Sequence, residues 1–313
     1  MHNIMRFIRQ NKKQIIRIAV IAAFLFLILQ ILNYLTENNK NINVNNNKEQ
    51  SVYEKTNGTV VSDKSMVSGG KVSTSTMQSV NDIIKEFVEN CNNQKIEEAY
   101  NMLTDECKEV LYPDIETFEN NYYNNLFKES NLGYSIENWS GDIYIVKYME
   151  DMLSTGKITT DNSYSDYITI VNKDGNKKLN INRYIGRKIL NKSKDSDNIK
   201  TEVLYSDRYM DYEIYKIKIT NNTDNTILLD PLTEVGKIYL KDSNDVRHKA
   251  YTNEIVKDNL KIYAGHTSTI EIKFDNPYIS DREIKSMCFS NIVLDYSEAN
   301  KGAYKKIKYI INL

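Results

Sequence analysis

The run Gly133-Tyr134-Ser135-Ile136-Glu137-Asn138-Trp139 is where the hydrophobic period of this chain changes. Before it, apolar residues recur every three or four positions, the spacing of one helix face; after it they alternate with polar ones, the spacing of a half-covered strand. Strands are expected over Tyr134 to Trp139, Asp142 to Tyr148, Tyr164 to Asn172 and Lys177 to Tyr184, with Asp174-Gly175 as a tight hairpin turn. Helices followed by an antiparallel meander define an α+β fold.

On the N-terminal side of that change, Val80, Ile83, Ile84, Phe87, Val88 and Cys91 draw one apolar stripe, and Ser79 with Asp82 is an S-x-x-D start signal. The stripe resumes after Asn92-Asn93 as Ile96, Ala99, Tyr100 and Leu103. Thr104 then caps a short helix whose Asp105 and Glu106 suit the positive end of its dipole, with Cys107, Val110 and Leu111 as the buried face. Pro113-Asp114 marks the next boundary, and Ile115, Phe118, Tyr122, Tyr123 and Leu126 continue as a further amphipathic helix.

This order of elements, with the run Phe87-Val88-Glu89-Asn90-Cys91-Asn92 followed by Glu97-Glu98-Ala99-Tyr100-Asn101-Met102-Leu103, resembles the cone-shaped nuclear-transport-factor-2-like superfamily over residues 79 to 190. The resemblance implies a curved sheet wrapped around helices, enclosing a conical pocket that some members use for catalysis and many for packing or binding. The domain is expected to span 77–195.

Further upstream, Ile18 to Leu29 is unbroken apolar sequence and continues to Leu35 with only Gln30 and Asn33 as interruptions. Eighteen residues of helix span about 27 Å, close to the hydrocarbon thickness of a bilayer. Arg6, Arg9, Lys12, Lys13 and Arg17 precede the run with no acidic residue among them, which places a tail of residues 1–17 in the cytoplasm and the rest of the chain outside. A cleavable export signal is the main rival, but no small-residue cleavage pattern follows Leu35. A transmembrane helix at 18–35 is therefore expected. Residues 36–76, rich in Asn, Lys, Ser and Thr and without apolar period, read as a disordered tether, whose 41 residues reach roughly 35 Å as flexible coil, with a short strand around Val60-Val61 left open. The abundance of Asn, Lys, Ile and Tyr looks like an A/T-rich genome such as those of low-GC Gram-positive bacteria, for which the outside is the wall side of a single membrane.

Downstream, the polar stretch Asp195-Ser196-Asp197-Asn198 reads as a domain boundary, with 196–313 all β-structure. Tyr215, Ile217 and Ile219 point inward between Lys216 and Lys218, as do Ile270, Ile272 and Phe274 between Thr269, Glu271 and Lys273. Seven or eight such strands separated by turns fit a β-sandwich. The run Tyr215-Lys216-Ile217-Lys218-Ile219-Thr220-Asn221-Asn222-Thr223 resembles the start of the immunoglobulin-like domains of exported Gram-positive proteins, which mostly bind or space.

Chemistry is sparse. The 313 residues carry a formal charge of −1, which argues against a nucleic-acid partner. Cys91, Cys107 and Cys288 are too scattered for a disulfide framework or a metal site, and His2, His248 and His266 lie in no metal-ligand spacing. His248 and His266 are expected at the surface or a sheet edge, and Trp139 as a packing residue. Among groups able to do acid–base work in a cone, Tyr122, Tyr123, Tyr144, Asp166 and Tyr167 qualify by type. Asp195 with Asp197, and Asp242 with Asp245, are explained by turn chemistry rather than calcium, lacking the Gly and distal Glu of a calcium loop. Lys301, Lys305, Lys306 and Lys308 suit a charged edge strand.

No catalytic, cofactor or metal residue is therefore assigned, and no enzymatic activity is expected. The expected role is extracytoplasmic binding or scaffolding from a single-pass anchor, with protein partners or self-association. In its tail, anchor and external domain the chain resembles the single-pass assembly component of conjugative type IV secretion systems, from which its second domain departs. The alternatives are an envelope-associated ligand-binding protein and a pocket enzyme in the cone-shaped domain.

Overall fold

A computed structural model describes residues 58–313 apart from 63, 130, 151–162, 174 and 302–304. The expected tail (1–17), transmembrane run (18–35) and first part of the tether lie outside the described residues. No described helix is long and apolar enough to cross a membrane. The fold is α+β, with mostly antiparallel sheets and few helices.

The tether reading needs correction at its C-terminal end. Gly58–Ser62 forms β1 and pairs in parallel with β2 (Leu132–Ser140), Val60 lying opposite Ile136. The β-branched Val60-Val61 pair suits a strand, and Val60 packs on the first core. Helix α1 (Thr74–Asn92) also begins earlier than Ser79: Ser73 is its cap, accepting from the Thr76 amide at 3.1 Å. The apolar stripe extends back accordingly to Met77, which is buried with Val80, Ile84, Phe87 and Cys91.

Three short elements follow as the sequence suggests: α2 (Ile96–Asn101), α3 (Asp105–Leu111) and α4 (Ile115–Phe118). Thr104 caps α3 by accepting from the Cys107 amide at 3.0 Å, and Asp114 caps α4 by accepting from Thr117 at 2.7 Å. After Phe118 the helix widens into a π turn (Glu119–Tyr123) before α5 (Asn124–Leu126). The wide turn coincides with burial of two adjacent tyrosines, Tyr122 and Tyr123.

Strands β2, β3 (Ile143–Glu150), β4 (Tyr164–Lys173) and β5 (Asn176–Asn180) form the expected antiparallel meander. One face carries Tyr134, Ile136, Val146, Ile168 and Leu179 into a core with Ile84, Phe87 and Phe118 of the helices. A strand running continuously from Lys177 to Tyr184 is not what forms. The chain stops at Asn180 and turns through Asn182 (φ 55°) and Arg183 (φ 65°), both left-handed.

Beyond that turn lies the main departure from expectation. Residues 191–198, read as a boundary, belong to a long hairpin of β6 (Tyr184–Ser196) and β7 (Ile199–Tyr209). Its tip is Asp197-Asn198, at φ 56° and 57°, a two-residue turn that demands residues tolerant of positive φ. The base of the hairpin puts Tyr184 and Tyr209 in the first core, whereas Ile199 and Val203 near its tip enter the second. The polar composition that suggested a linker is that of a strand pair with exposed side chains at Lys192 and Ser193.

The hairpin continues into β8 (Glu213–Asn221), giving a sheet of order β13–β8–β7–β6 with β13 at Thr267–Phe274. A second sheet orders β11 (Arg247–Lys249), β10 (Ile238–Asp242), β14 (Ile284–Val293), β9 (Ile227–Leu228) and β12 (Lys261–Ile262), with β15 (Lys306–Asn312) also paired to β14. The two sheets share one core, in which Tyr215, Ile217, Ile219, Ile270, Ile272 and Phe274 point inward as their alternation requires. The Tyr309 hydroxyl of β15 donates to the Ile199 carbonyl of β7 at 2.8 Å, tying the sheets together. Lys306 and Lys308 of β15 and the preceding Lys305 are exposed.

Candidate functional site

Period-two alternation divides the five residues picked by type. Asp166 faces the helices, whereas the adjacent Tyr167 faces the other side of the sheet, where Trp139 meets it edge-on at 6.0 Å. Tyr123 stacks on Phe127 (6.3 Å) and Tyr144 is buried in the first core without joining the carboxylate. Only Tyr122 and Asp166 come together, and sequence reading missed their third member, Tyr148. The Tyr122 hydroxyl donates to Asp166 Oδ2 at 3.2 Å and lies 3.3 Å from the Tyr148 hydroxyl. Tyr148 ends the strand expected over Asp142 to Tyr148, and nothing in the chain pairs it with a residue of the π turn.

The Asp166 carboxylate is wholly buried and its oxygens are occupied. Oδ2 also accepts from the Asn182 amide (2.8 Å) and Oδ1 from the Arg183 amide (3.0 Å). Burial pushes its pKa up to about 6, against the lowering effect of those hydrogen bonds. Burial likewise drives the Tyr122 and Tyr148 hydroxyls far above the ordinary tyrosine range. These donors clamp the left-handed Asn182-Arg183 turn to β4, so the group works as a lock on the chain reversal. The cleft described below does not include Tyr122, Tyr148 or Asp166 in its lining.

The remaining candidates are structural too. His248 sits on the edge strand β11, as expected, but it is buried rather than superficial, its Nε2 lying 3.1 Å from Asp242 Oδ2. Asp242 Oδ1 accepts from the Asn244 and Val246 amides at 2.9 Å, the turn chemistry expected of it. His266 is exposed beside Tyr263. All three cysteines are free and buried, and burial pushes the Cys107 thiol up to about 12. Among the described residues no three His, Cys, Asp or Glu side chains converge as metal ligands.

An open site lies elsewhere. A cleft of about 600 Å³ opens on the outer face of the meander, walled by β4, the start of β6, β7 and the segment after β13 that carries Tyr278. Ile143, Ile185 and Met210 form a small apolar cluster beside it, against which Trp139, Tyr167 and Tyr278 pack. Arg187 is spent: its Nε and Nη2 grip both oxygens of Asp207 at 2.9 Å and its Nη1 reaches Glu109 at 2.9 Å. Arg208 is not spent. It lies 5.7 Å from the Tyr278 ring, and its Nε is shielded from solvent with no acceptor. Its cross-strand neighbour Glu213 instead accepts from the Tyr215 hydroxyl at 2.8 Å. Thr169, also in the wall, is 8% exposed with its Oγ1 unpaired.

Two further wall residues fix the shape of the cleft. The Thr104 hydroxyl, besides capping α3, donates to Asn180 Oδ1 at 2.5 Å, and Asn180 Nδ2 donates to the Ile185 carbonyl at 2.9 Å. A Thr104→Val variant loses the cap and orphans the Asn180 oxygen, so a loss of about 2 kcal/mol is expected in urea unfolding. An unchanged midpoint would count against this linkage. Gly186 (φ 139°) closes the wall, and a Cβ there would stand 3.2 Å from Asn180 Nδ2 in a conformation L residues avoid.

No family model, no curated protein and no solved structure matches this chain.

Proposed function

We propose that this chain is a single-pass membrane protein with a cytoplasmic N-terminus whose external part binds a ligand and performs no chemistry on it. The anchor rests on the apolar run Ile18 to Leu35 behind its basic tail. The first half is read as a cone of the nuclear-transport-factor-2-like type, supported by helices covering one face of an antiparallel meander. The second is read as an immunoglobulin-like sandwich, supported by two sheets over one apolar core.

The observation that carries the binding reading is the contrast between the two polar sites. The Asp166 group has its hydrogen bonds saturated inside the core, while two residues that line the cleft, Arg208 and Thr169, each carry a shielded donor without a partner among the described residues. Buried polar groups are ordinarily paired, so unpaired donors on two residues that line a cavity of ligand size favour a ligand that supplies the acceptor.

The test is labelling of the full-length protein in cells with an impermeant amine reagent, combined with in-cell crosslinking. Modification of Lys192 in intact cells, with Lys12 and Lys13 labelled only after lysis, and a chain crosslinked as a monomer are expected. Protection of Lys192 would overturn the topology. A ladder of crosslinked copies, or crosslinks to channel subunits or a membrane ATPase, would replace ligand binding with scaffolding in a conjugative or secretion apparatus.

A further inference from the structure

We infer that the cleft between β4, β6, β7 and the Tyr278 segment takes a small ligand through a single carboxylate group, held by Arg208 and Thr169. The inference rests on the binding reading above and adds the chemical class of the ligand.

Three features of the wall select that class. Arg208 has no carboxylate within ion-pair distance among the described residues, although Arg183 and Arg187 nearby each hold one bidentately, Arg183 with Asp211 at 2.8 and 2.9 Å. Arg208 is partly exposed while its Nε is shielded, so a ligand meets the guanidinium at its terminal edge, the two Nη groups. That edge presents two parallel N–H donors, the spacing of the two oxygens of a carboxylate. Thr169 adds a third donor from the neighbouring sheet, and a hydroxyl this deeply buried without a partner is destabilising unless something accepts from it.

The opposite parts of the wall limit what the rest of the ligand can be. Glu106 and Asp142 line the same cleft, and the charge of Arg187 is already neutralised by Asp207 and Glu109. The site therefore sets one cation without an ion-pair partner against two carboxylates, a balance that disfavours polyanions such as nucleic acid or polyphosphate chains and confines a negative group to the side of Arg208. Tyr278, with Ile143 and Ile185, supplies an apolar surface beside Arg208 for a hydrophobic or aromatic side group. The volume of about 600 Å³ falls within the range of sites for small molecules. Carboxylates with an apolar substituent, as in acylated amino acids and the C-termini of short peptides, meet these conditions.

The chain carries its own reporter. Trp139 is the single tryptophan, and its ring lies 5.9 Å from that of Tyr278. The experiment titrates the full-length protein in detergent micelles with N-acetylphenylalanine, with N-acetylphenylalanine amide and with inorganic phosphate, reading Trp139 emission. A saturable change with the acid and none with the amide is expected.

Arg208→Lys keeps the charge but removes the planar edge, and is expected to weaken the acid at least tenfold; Thr169→Val is expected to weaken it about threefold. Arg247→Gln alters an arginine that lies over Tyr239 on a different sheet, and should leave the titration unchanged. Far-UV circular dichroism of each variant confirms that it is folded, and Thr169→Val stands in should Arg208→Lys unfold. Equal response to acid and amide, undiminished binding in folded Arg208→Lys, or saturation by phosphate alone would each overturn the carboxylate assignment. None of those outcomes touches the membrane topology, which the labelling experiment decides separately.

Discussion

The stability deficit of an Asp166→Asn variant relative to the natural chain is expected to shrink as pH rises, by about 2 kcal/mol between pH 4 and pH 7. The sign follows from burial. In the native state the Asp166 carboxyl titrates near 6, above the ordinary aspartate value it takes when unfolded. Between those two values the folded chain holds a proton that the unfolded chain has released, so folding is favoured most below about pH 4 and progressively less up to about pH 6. The asparagine at this position cannot titrate and lacks that slope. It also turns an N–H₂ toward donors that the carboxylate now accepts, from Asn182, Arg183 and Tyr122, so the variant is less stable at every pH tested.

Urea unfolding of both proteins at pH 4, 5, 6 and 7 measures the difference directly. A constant gap across that range would show that Asp166 is ionised in the native state throughout, and that its hydrogen bonds outweigh its burial.

The second large effect concerns where the chain can be divided. Cutting between residues 195 and 196, at the polar stretch that reads as a linker, is expected to leave two pieces of which neither folds cooperatively, while residues 58–313 unfold in one transition. The cut severs β6 from β7 along the ladder from Tyr184 opposite Tyr209 to Asp195 opposite Lys200. It also separates Arg187 from Asp207, whose side chains are 11% and 9% exposed, and Tyr184 from the same carboxylate at 2.8 Å. Breaking one largely buried, hydrogen-bonded ion pair costs about 3–5 kcal/mol, a large part of the 5–15 kcal/mol that holds a typical domain together. Near-UV circular dichroism and urea titration of the two fragments test this. A fragment of residues 58–195 with a sharp transition of its own would mean that the first core does not need β7.

Much of the architecture was legible because it is written in local periods. The stripe through Val80, Ile84 and Phe87, the cap at Thr104 and the alternation of Ile270, Ile272 and Phe274 each follow from one element and its covered face. The misreadings fell where composition and pairing disagree. Asn191 to Asn198 looks like a linker because its side chains are polar, yet backbone pairing across a two-residue turn needs no apolar side chain. Val60 looks isolated because its partner, Ile136, is far along the chain.

By itself, then, the sequence determined the order of helices and strands, the faces those elements bury, and the apolar run behind a basic tail that predicts an anchor. Each depends on neighbours a few residues apart. The tertiary structure alone decided that Tyr122 and Tyr148, out of 23 tyrosines, meet Asp166, and that Asp166 and Tyr167 face opposite sides of one sheet. It alone left Arg208 without an ion pair among the described residues while Arg187 received two. Whether a charge finds a partner depends on which strands are laid side by side and where the packed walls leave room, and residues far apart in the chain set both.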